Sequence, residues 1–132
     1  MQEREWEKFY GGPMDSYDRR VYVTFNDRGE IYLNRHTYHL LGSPKHVNFY
    51  FSRRRDSIMV VPSNVELAEN FPVKRKQVGF VIQASTFCRH YGIRMERTVQ
   101  FVRPDIDDRK LKLDLTTTVD VTILKKSRAK RQ

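Results

Sequence analysis

The chain has 132 residues and a formal net charge of +9, and apolar residues make up 39% of it. This length predicts a single domain that can bury one core. No apolar run approaches the roughly 20 residues that a bilayer crossing needs, and the charged N-terminus does not resemble a secretory signal, so we expect no membrane association. The single cysteine, Cys88, excludes an intrachain disulfide and fits a cytoplasmic location.

The organisation of the chain follows from where short strand-like runs occur. Residues 1–20 show no clear period and predict an N-terminal extension. The folded region is expected over residues 21–124, because most of the Phe and Tyr residues lie there in short alternating runs. We divide it into two units, about 21–61 and 73–124. The linker over residues 62–76 overlaps the start of the second unit.

The first unit begins with an alternating strand, Val21–Phe25, and a turn at Asn26–Gly29. The stretch GEIYLNRHTYHLLG then predicts a strand over Ile31–Leu33 and a short helix. Asn34 is suited to cap the start of that helix, and Gly42 can take the left-handed conformation that ends it. Two further strands, Val47–Phe51 and Ile58–Val61, predict a hairpin with a polar, arginine-rich tip.

The same order of elements returns fifty positions later. Gly79–Gly92, GFVIQASTFCRHYG, repeats the glycine spacing of the first unit, with Ser85 as a candidate helix cap. Val99–Val102 and Leu111–Leu115 predict a second hairpin. This repetition favours an internal duplication. An alternating run around Val119–Ile123 predicts a last strand that closes the sheet against Val21–Phe25.

The predicted fold is therefore mainly β, in the β-rich α+β class. The two tandem strand-helix-hairpin units are expected to form one single-domain barrel. Apolar spacing carries this prediction, since short alternating strands bury one face and expose the other.

The order of four features in residues 21–61 suggests a family. They are the turn Asp27-Arg28-Gly29-Glu30, the strand Ile31–Leu33, the helix closed by Leu41-Gly42, and the hairpin around Arg53–Arg55. This order resembles the swapped-hairpin domain of the SpoVT/AbrB superfamily, and residues 79–115 resemble it more loosely. Two units in one chain are similar to the MraZ branch. The resemblance implies a pseudo-dimeric barrel, DNA binding, transcriptional regulation and rings of several chains.

The chain departs from the family at the positions where DNA-binding members usually carry charge. The residue after the turn glycine is usually Arg, but here it is Glu30 in the first unit and Phe80 in the second. Basic residues are usual late in the helix, where this chain has Tyr38 and His39 in one unit and Cys88 and Arg89 in the other. These departures weaken DNA binding through the family's usual face.

Basic residues cluster at the predicted turns and in the tail. Arginine reaches phosphates and guanine edges with two hydrogen bonds, and clustered cations displace counterions from nucleic acids. A solvated rim and a solvated basic tail over residues 125–132 are the alternatives. The candidate nucleic-acid-binding residues are Arg28, Arg35, Arg53, Arg54, Arg55, Lys74, Arg75, Lys76, Arg89, Lys125, Lys126, Arg128, Lys130 and Arg131.

Other chemistries find little support. His36 and His39 lie on one predicted helix and Cys88 and His90 on the other, but no CxxC or HExxH spacing supports zinc. The acidic run Asp105–Asp108 lacks the glycine and the later glutamate of a calcium loop. The chain has no glycine-rich phosphate loop and no GxSxG motif. We therefore expect no enzyme, no metal, no cofactor and no small-molecule substrate.

Two functions remain as hypotheses. The first is binding of double-stranded DNA by a transcriptional regulator of AbrB/MraZ type, through basic loops and the tail. The alternative is a protein-interaction or assembly module on the same barrel that has lost DNA binding, with a homo-oligomer or another protein as partner. Aromatic residues at the positions of the missing charges favour the alternative, since aromatic groups are enriched at protein interfaces.

Overall fold

The computed structural model describes residues 19–65 and 67–121. The predicted basic tail, residues 125–132, and nearly all of the predicted N-terminal extension lie outside these ranges. Within them the chain forms ten strands and two helices. They are β1 (Val23–Phe25), β2 (Glu30–Leu33), α1 (Arg35–Leu40), β3 (His46–Ser52), β4 (Ser57–Ser63), β5 (Phe71–Lys76), β6 (Gly79–Gln83), α2 (Ser85–Tyr91), β7 (Val99–Phe101), β8 (Asp105–Asp107), β9 (Lys110–Asp114) and β10 (Thr118–Asp120).

Local sequence explains the start of the first unit. The Asn26 side chain accepts hydrogen bonds from the backbone amides of Arg28 and Glu30, which closes the β1–β2 turn. Asn34 caps α1 as predicted, since its side-chain oxygen accepts from the amide of Thr37 at 3.0 Å. Gly42 follows α1 with a φ of +90°, a conformation that favours glycine.

The start of α2 differs from the prediction. Ser85 lies inside the helix, and the capping position is Ala84, which is fully buried and has no polar side chain. The amide of Ser85 instead donates to the side-chain oxygen of Gln83 at 3.1 Å. A residue on the preceding strand thus replaces the cap.

All ten strands of the described residues form one curled antiparallel sheet that resembles half of a barrel. Their order is β10-β7-β1-β2-β6-β5-β3-β4-β9-β8. The prediction that the fold is mainly β is therefore confirmed. Fifteen buried apolar residues form the core, and they come from α2, from Leu41 directly after α1, from Ala84 directly before α2 and from most strands, which agrees with the prediction of a single core.

From β10 to β4, the strand order is symmetric about the β2–β6 pair. In this pair, Ile31 lies opposite Ile82. Moving outward, β1 lies on one side and β5 on the other, then β7 and β3, then β10 and β4. The β8–β9 hairpin extends the sheet beyond β4 and has no counterpart beyond β10 among the described residues.

Two predicted pairings are wrong. Val99–Val102 and Leu111–Leu115 do not form a hairpin, because β7 pairs with β1 and β10, whereas β9 pairs with β4 and β8. The last strand, β10, pairs with β7 and not with β1. The segment 62–76, expected to be a linker, contains the end of β4 and all of β5. Sequence spacing suggests neighbouring strands as partners, but β1 and β7, and likewise β4 and β9, lie far apart in the chain.

The second helix packs on a strand of the first half. Phe87 and Tyr91 of α2 contact Phe49 and Phe51 of β3, with ring centroids 5.1 Å and 4.9 Å apart in the closest pairs. Such contacts between aromatic rings stabilise the fold beyond what the burial of their apolar area contributes. The two halves therefore share one core.

Candidate nucleic-acid interface

Two grooves lie beside the two helices. The α1 groove has a volume of about 490 Å³, and the α2 groove has a volume of about 600 Å³. The α1 groove is lined by Arg35, Tyr38, His39, Ser43, Lys45, Val73, Arg75 and Phe80. The α2 groove is lined by Phe25, Asn26, Asp27, Arg28, Gly29, Ser85, Cys88, Arg89, Ile93, Arg94, Met95 and Glu96.

The helical sides of the two grooves correspond in sequence. Five lining residues of the α1 groove have a lining residue of the α2 groove fifty positions later. The pairs are Arg35 and Ser85, Tyr38 and Cys88, His39 and Arg89, Ser43 and Ile93, and Lys45 and Met95. In each groove the opposite wall belongs to a strand or turn from the other half of the chain. The grooves therefore occupy matching places in the symmetric strand order.

The α1 groove is basic and contains an aromatic pair. Arg35, Lys45 and Arg75 line it, and no carboxylate is among its lining residues. All three are exposed. The rings of Tyr38 and Phe80 are stacked, 3.7 Å between centroids and 15° from parallel. Three cations in a concave surface whose lining has no anion produce a positive potential that attracts phosphate.

Two contacts hold the Tyr38 side chain in place. Its hydroxyl donates to the backbone oxygen of Pro44 at 2.9 Å, and its face lies against Phe80. Arg75 is the cross-strand partner of Phe80, so its side chain and the ring share one face of the sheet. The cation and the aromatic pair are thereby fixed on the same side of the groove.

The α2 groove has a different charge balance. Arg28, Arg89 and Arg94 line it together with Asp27 and Glu96. Arg28 Nε also donates to Glu30 Oε1 at 2.9 Å. Hydrogen bonds from the side chains of Asn26 and Arg28 lower the pKa of Glu30, so this carboxylate stays ionised. Three carboxylates thus offset the three guanidinium groups in and beside this groove.

Cys88 takes the place in the α2 groove that Tyr38 has in the α1 groove. Its side chain is buried, and burial raises the pKa of the thiol to about 11. The thiol is therefore protonated near neutral pH. Glu30 stands at the sequence position that matches Phe80, so the α2 groove lacks an aromatic pair.

Arg53–Arg55 lie at the tip of the β3–β4 hairpin, as predicted, but they are not one cluster. The guanidinium of Arg53 lies over the rings of Phe51 and Tyr91, at 5.9 Å and 5.5 Å from their centroids. Arg55 lines a separate hollow of about 280 Å³ beside Tyr50. Arg54 is exposed in the turn.

The basic run on β5 is divided between two faces. Lys74 and Lys76 alternate with Arg75 along the strand, so their side chains lie on the face opposite the α1 groove. Lys76 contributes to the lowered pKa of Glu30. The structure thus brings Arg35 and Arg75 together, and Arg28 and Arg89 together, in two separate sites.

Sequence reasoning missed three contributors to the grooves. Lys45 and Arg94 follow the two helices as isolated cations, and nothing in the local pattern marks them. The pairing of Tyr38 with Phe80 joins residues far apart in the chain. The fifty-position repeat was the available signal, since it aligns the segments after both helices. Lys125, Lys126, Arg128, Lys130 and Arg131 lie outside the described residues.

The described residues contain no group of three or more His, Cys, Asp or Glu side chains placed to hold a metal ion. Neither helix in these ranges has the length and apolar character of a bilayer-crossing segment.

Comparisons of the chain with protein-family models, curated proteins and solved structures found no match.

Proposed function

We propose that this protein binds double-stranded DNA, chiefly through its phosphates, with the α1 groove as the main contact. The observation that carries the proposal is the placement of Arg35, Lys45 and Arg75 in one concave surface whose lining has no carboxylate. Phosphate contacts supply most of the sequence-independent affinity for DNA. A cytoplasmic transcriptional regulator of AbrB/MraZ type is the class of protein that we infer.

The symmetric strand order supports a swapped-hairpin arrangement. β3 of the first half pairs with β5 of the second, and β7 of the second pairs with β1 of the first. This is the interlocking expected when two strand-helix-hairpin units form a pseudo-dimer. In this interpretation β10 is the counterpart of β4, and the β8–β9 hairpin is an insertion in the second unit.

The first experiment measures duplex affinity by fluorescence anisotropy over a range of salt concentrations. The variant Arg35→Ala/Arg75→Ala removes two charges from the α1 groove. Its control, Lys110→Ala/Lys112→Ala, removes two exposed charges from β9. We expect the groove variant to weaken binding and to reduce the salt slope by about 2, since each phosphate contact contributes about 1.

The two variants separate local from overall charge effects. An equal loss in both would mean that net charge alone attracts DNA and that the α1 groove has no special part.

A shortened chain that ends at Leu124 tests the predicted basic tail. If only the full chain binds DNA, the tail is the binding element and the groove proposal is wrong.

A protein-interaction module is the second candidate. Tyr50 is about half exposed beside the hollow that Met59 and Arg55 also line, a surface suited to another protein or a second copy of this chain. Affinity for such a partner should respond little to salt, whereas DNA affinity should fall steeply. Light scattering, with and without Tyr50→Ser, tests self-association through this hollow.

A further inference from the structure

The Tyr38–Phe80 pair gives the α1 groove a property that phosphate binding does not require. Both rings are only half-buried, and both line the groove that holds Arg35, Lys45 and Arg75. An aromatic surface beside a row of cations is the combination used to bind single-stranded nucleic acids. The bases stack on the rings while the cations contact the phosphates.

The α2 groove shows that the fold does not need this pair. The matching sequence positions are Cys88, which lines this groove, and Glu30, which does not line it and is engaged by the side chains of Asn26 and Arg28. The matching wall is thus formed in one groove without an aromatic pair. The aromatic pair and the excess of positive charge occur together in the other groove.

A duplex cannot use both features at once. Its bases are stacked on each other in the helix interior, so its phosphates reach the cations while the rings stay out of contact. An unstacked nucleotide presents a base and a phosphate together. The volume of about 490 Å³ lies within the range of small-molecule sites, and is therefore large enough for a nucleotide.

We propose that the α1 groove binds an unpaired nucleotide of DNA, with its base on an outer face of the stacked Tyr38–Phe80 pair and its phosphate near Arg35, Lys45 and Arg75. This inference rests on the proposed function and names its preferred substrate: DNA that contains unpaired nucleotides. The α2 groove contacts at most the backbone of the same molecule.

The test uses the full chain and three oligonucleotides of equal length: single-stranded oligo-dT, the same length of abasic strand, and a duplex. The variants Phe80→Leu and Tyr38→Leu remove one ring each and no charge. Val102→Ala is the control, since it removes an exposed apolar side chain that lines neither groove. Thermal melting shows whether each variant is folded.

We expect oligo-dT to bind more tightly than the abasic strand. At least one of Phe80→Leu and Tyr38→Leu should weaken oligo-dT binding by roughly 5- to 100-fold, as one lost base stack implies. Affinity for the abasic strand and for the duplex should stay within about twofold, and Val102→Ala should bind all three as the unchanged protein does. Equal affinities of the unchanged protein for oligo-dT and the abasic strand would overturn the inference.

Photocrosslinking gives a readout on the unchanged protein, which is informative even if the variants fail to fold. A 5-iodouracil base in oligo-dT should crosslink to Tyr38 or Phe80, identified by mass spectrometry. Crosslinks confined to other residues would contradict the proposal. If the duplex binds but oligo-dT gains nothing from its bases, only this inference fails. If no DNA binds even at low salt, the proposed function fails with it.

Discussion

Glu30 illustrates how one residue changes a groove. It follows the turn glycine, accepts hydrogen bonds from the side chains of Asn26 and Arg28, and has a lowered pKa. A carboxylate whose pKa is lowered in the folded protein stabilises the fold at pH values above its pKa in the unfolded chain. This stabilisation is lost as the pH falls through the pKa of the carboxylate in the folded protein. The same carboxylate accepts from Nε of Arg28 and offsets its charge.

Removing this charge should increase DNA affinity. Glu30→Gln keeps an oxygen that can accept from Asn26 but removes the negative charge that offsets the Arg28 guanidinium. We expect the salt slope of duplex binding to increase by about 1, measured by anisotropy. Asp107→Asn, on the exposed edge strand β8, is the charge-matched control. A gain of equal size in the control would show that the effect comes from net charge.

Cys88 should react slowly with thiol reagents. Burial raises the pKa of its thiol to about 11 from an ordinary value of 9.0. The thiolate fraction near pH 8 is therefore roughly 100-fold lower than in an unfolded chain, since each pKa unit changes it tenfold. Rates with a maleimide or iodoacetamide, folded and in denaturant, check this. Similar rates in both states would mean that Cys88 is accessible and ionised.

At the scale of elements, Gly79 and Gly92 lie fifty positions after Gly29 and Gly42, and the surroundings of Gly79 differ from those of Gly92. Gly79 begins β6 with a φ of +114°, and an added Cβ would lie 2.7 Å from the backbone oxygen of Leu33. Gly92 ends α2 with a φ of +68° and has open space around the added atom. Both positions favour glycine by conformation, but only Gly79 is also enclosed.

The difference predicts unequal effects of alanine. Gly92→Ala should cost about 1–2 kcal/mol of unfolding free energy, the cost of a left-handed conformation. Gly79→Ala should cost clearly more, because the new methyl group contacts backbone at the central β2–β6 pair. Urea unfolding of both variants measures this. A smaller loss for Gly79→Ala than for Gly92→Ala would contradict the packing described for β6.

At the scale of the whole molecule, the two halves are joined by most of the sheet. Strand pairs β1–β7, β2–β6, β3–β5 and β4–β9 each connect residues before position 64 with residues after position 70. The core also receives side chains from both halves. Neither half can bury its strands alone.

A cut between the halves should therefore leave them associated. A protease site inserted after Asn64, which is exposed in the loop between β4 and β5, allows this cut without removing a strand. We expect the cleaved protein to elute as one species in gel filtration. Each half expressed alone should lack a dispersed NMR spectrum. A half that folds by itself would contradict the interlocked arrangement.

Local sequence was sufficient for the elements that close over a few residues. The turn at Asn26–Gly29, the cap at Asn34, the glycine after α1 and the β3–β4 hairpin could all be predicted. Each depends on contacts between near neighbours or on the conformational freedom of one residue. The mainly β class followed from the alternation of apolar residues. The cap of α2 could not be predicted, because the burial of Ala84 depends on the rest of the core.

The sequence by itself determined most of the strands and both helices, and that the chain is basic. Only the tertiary structure decided which strands pair across the two halves, because a strand pattern specifies a buried face but not a distant partner beside it. Pairing brought β7 to β1 and β9 to β4, against the expected hairpin. It also brought Arg35 next to Arg75 and Tyr38 next to Phe80. The α1 groove exists only because two distant halves of the chain meet in one sheet.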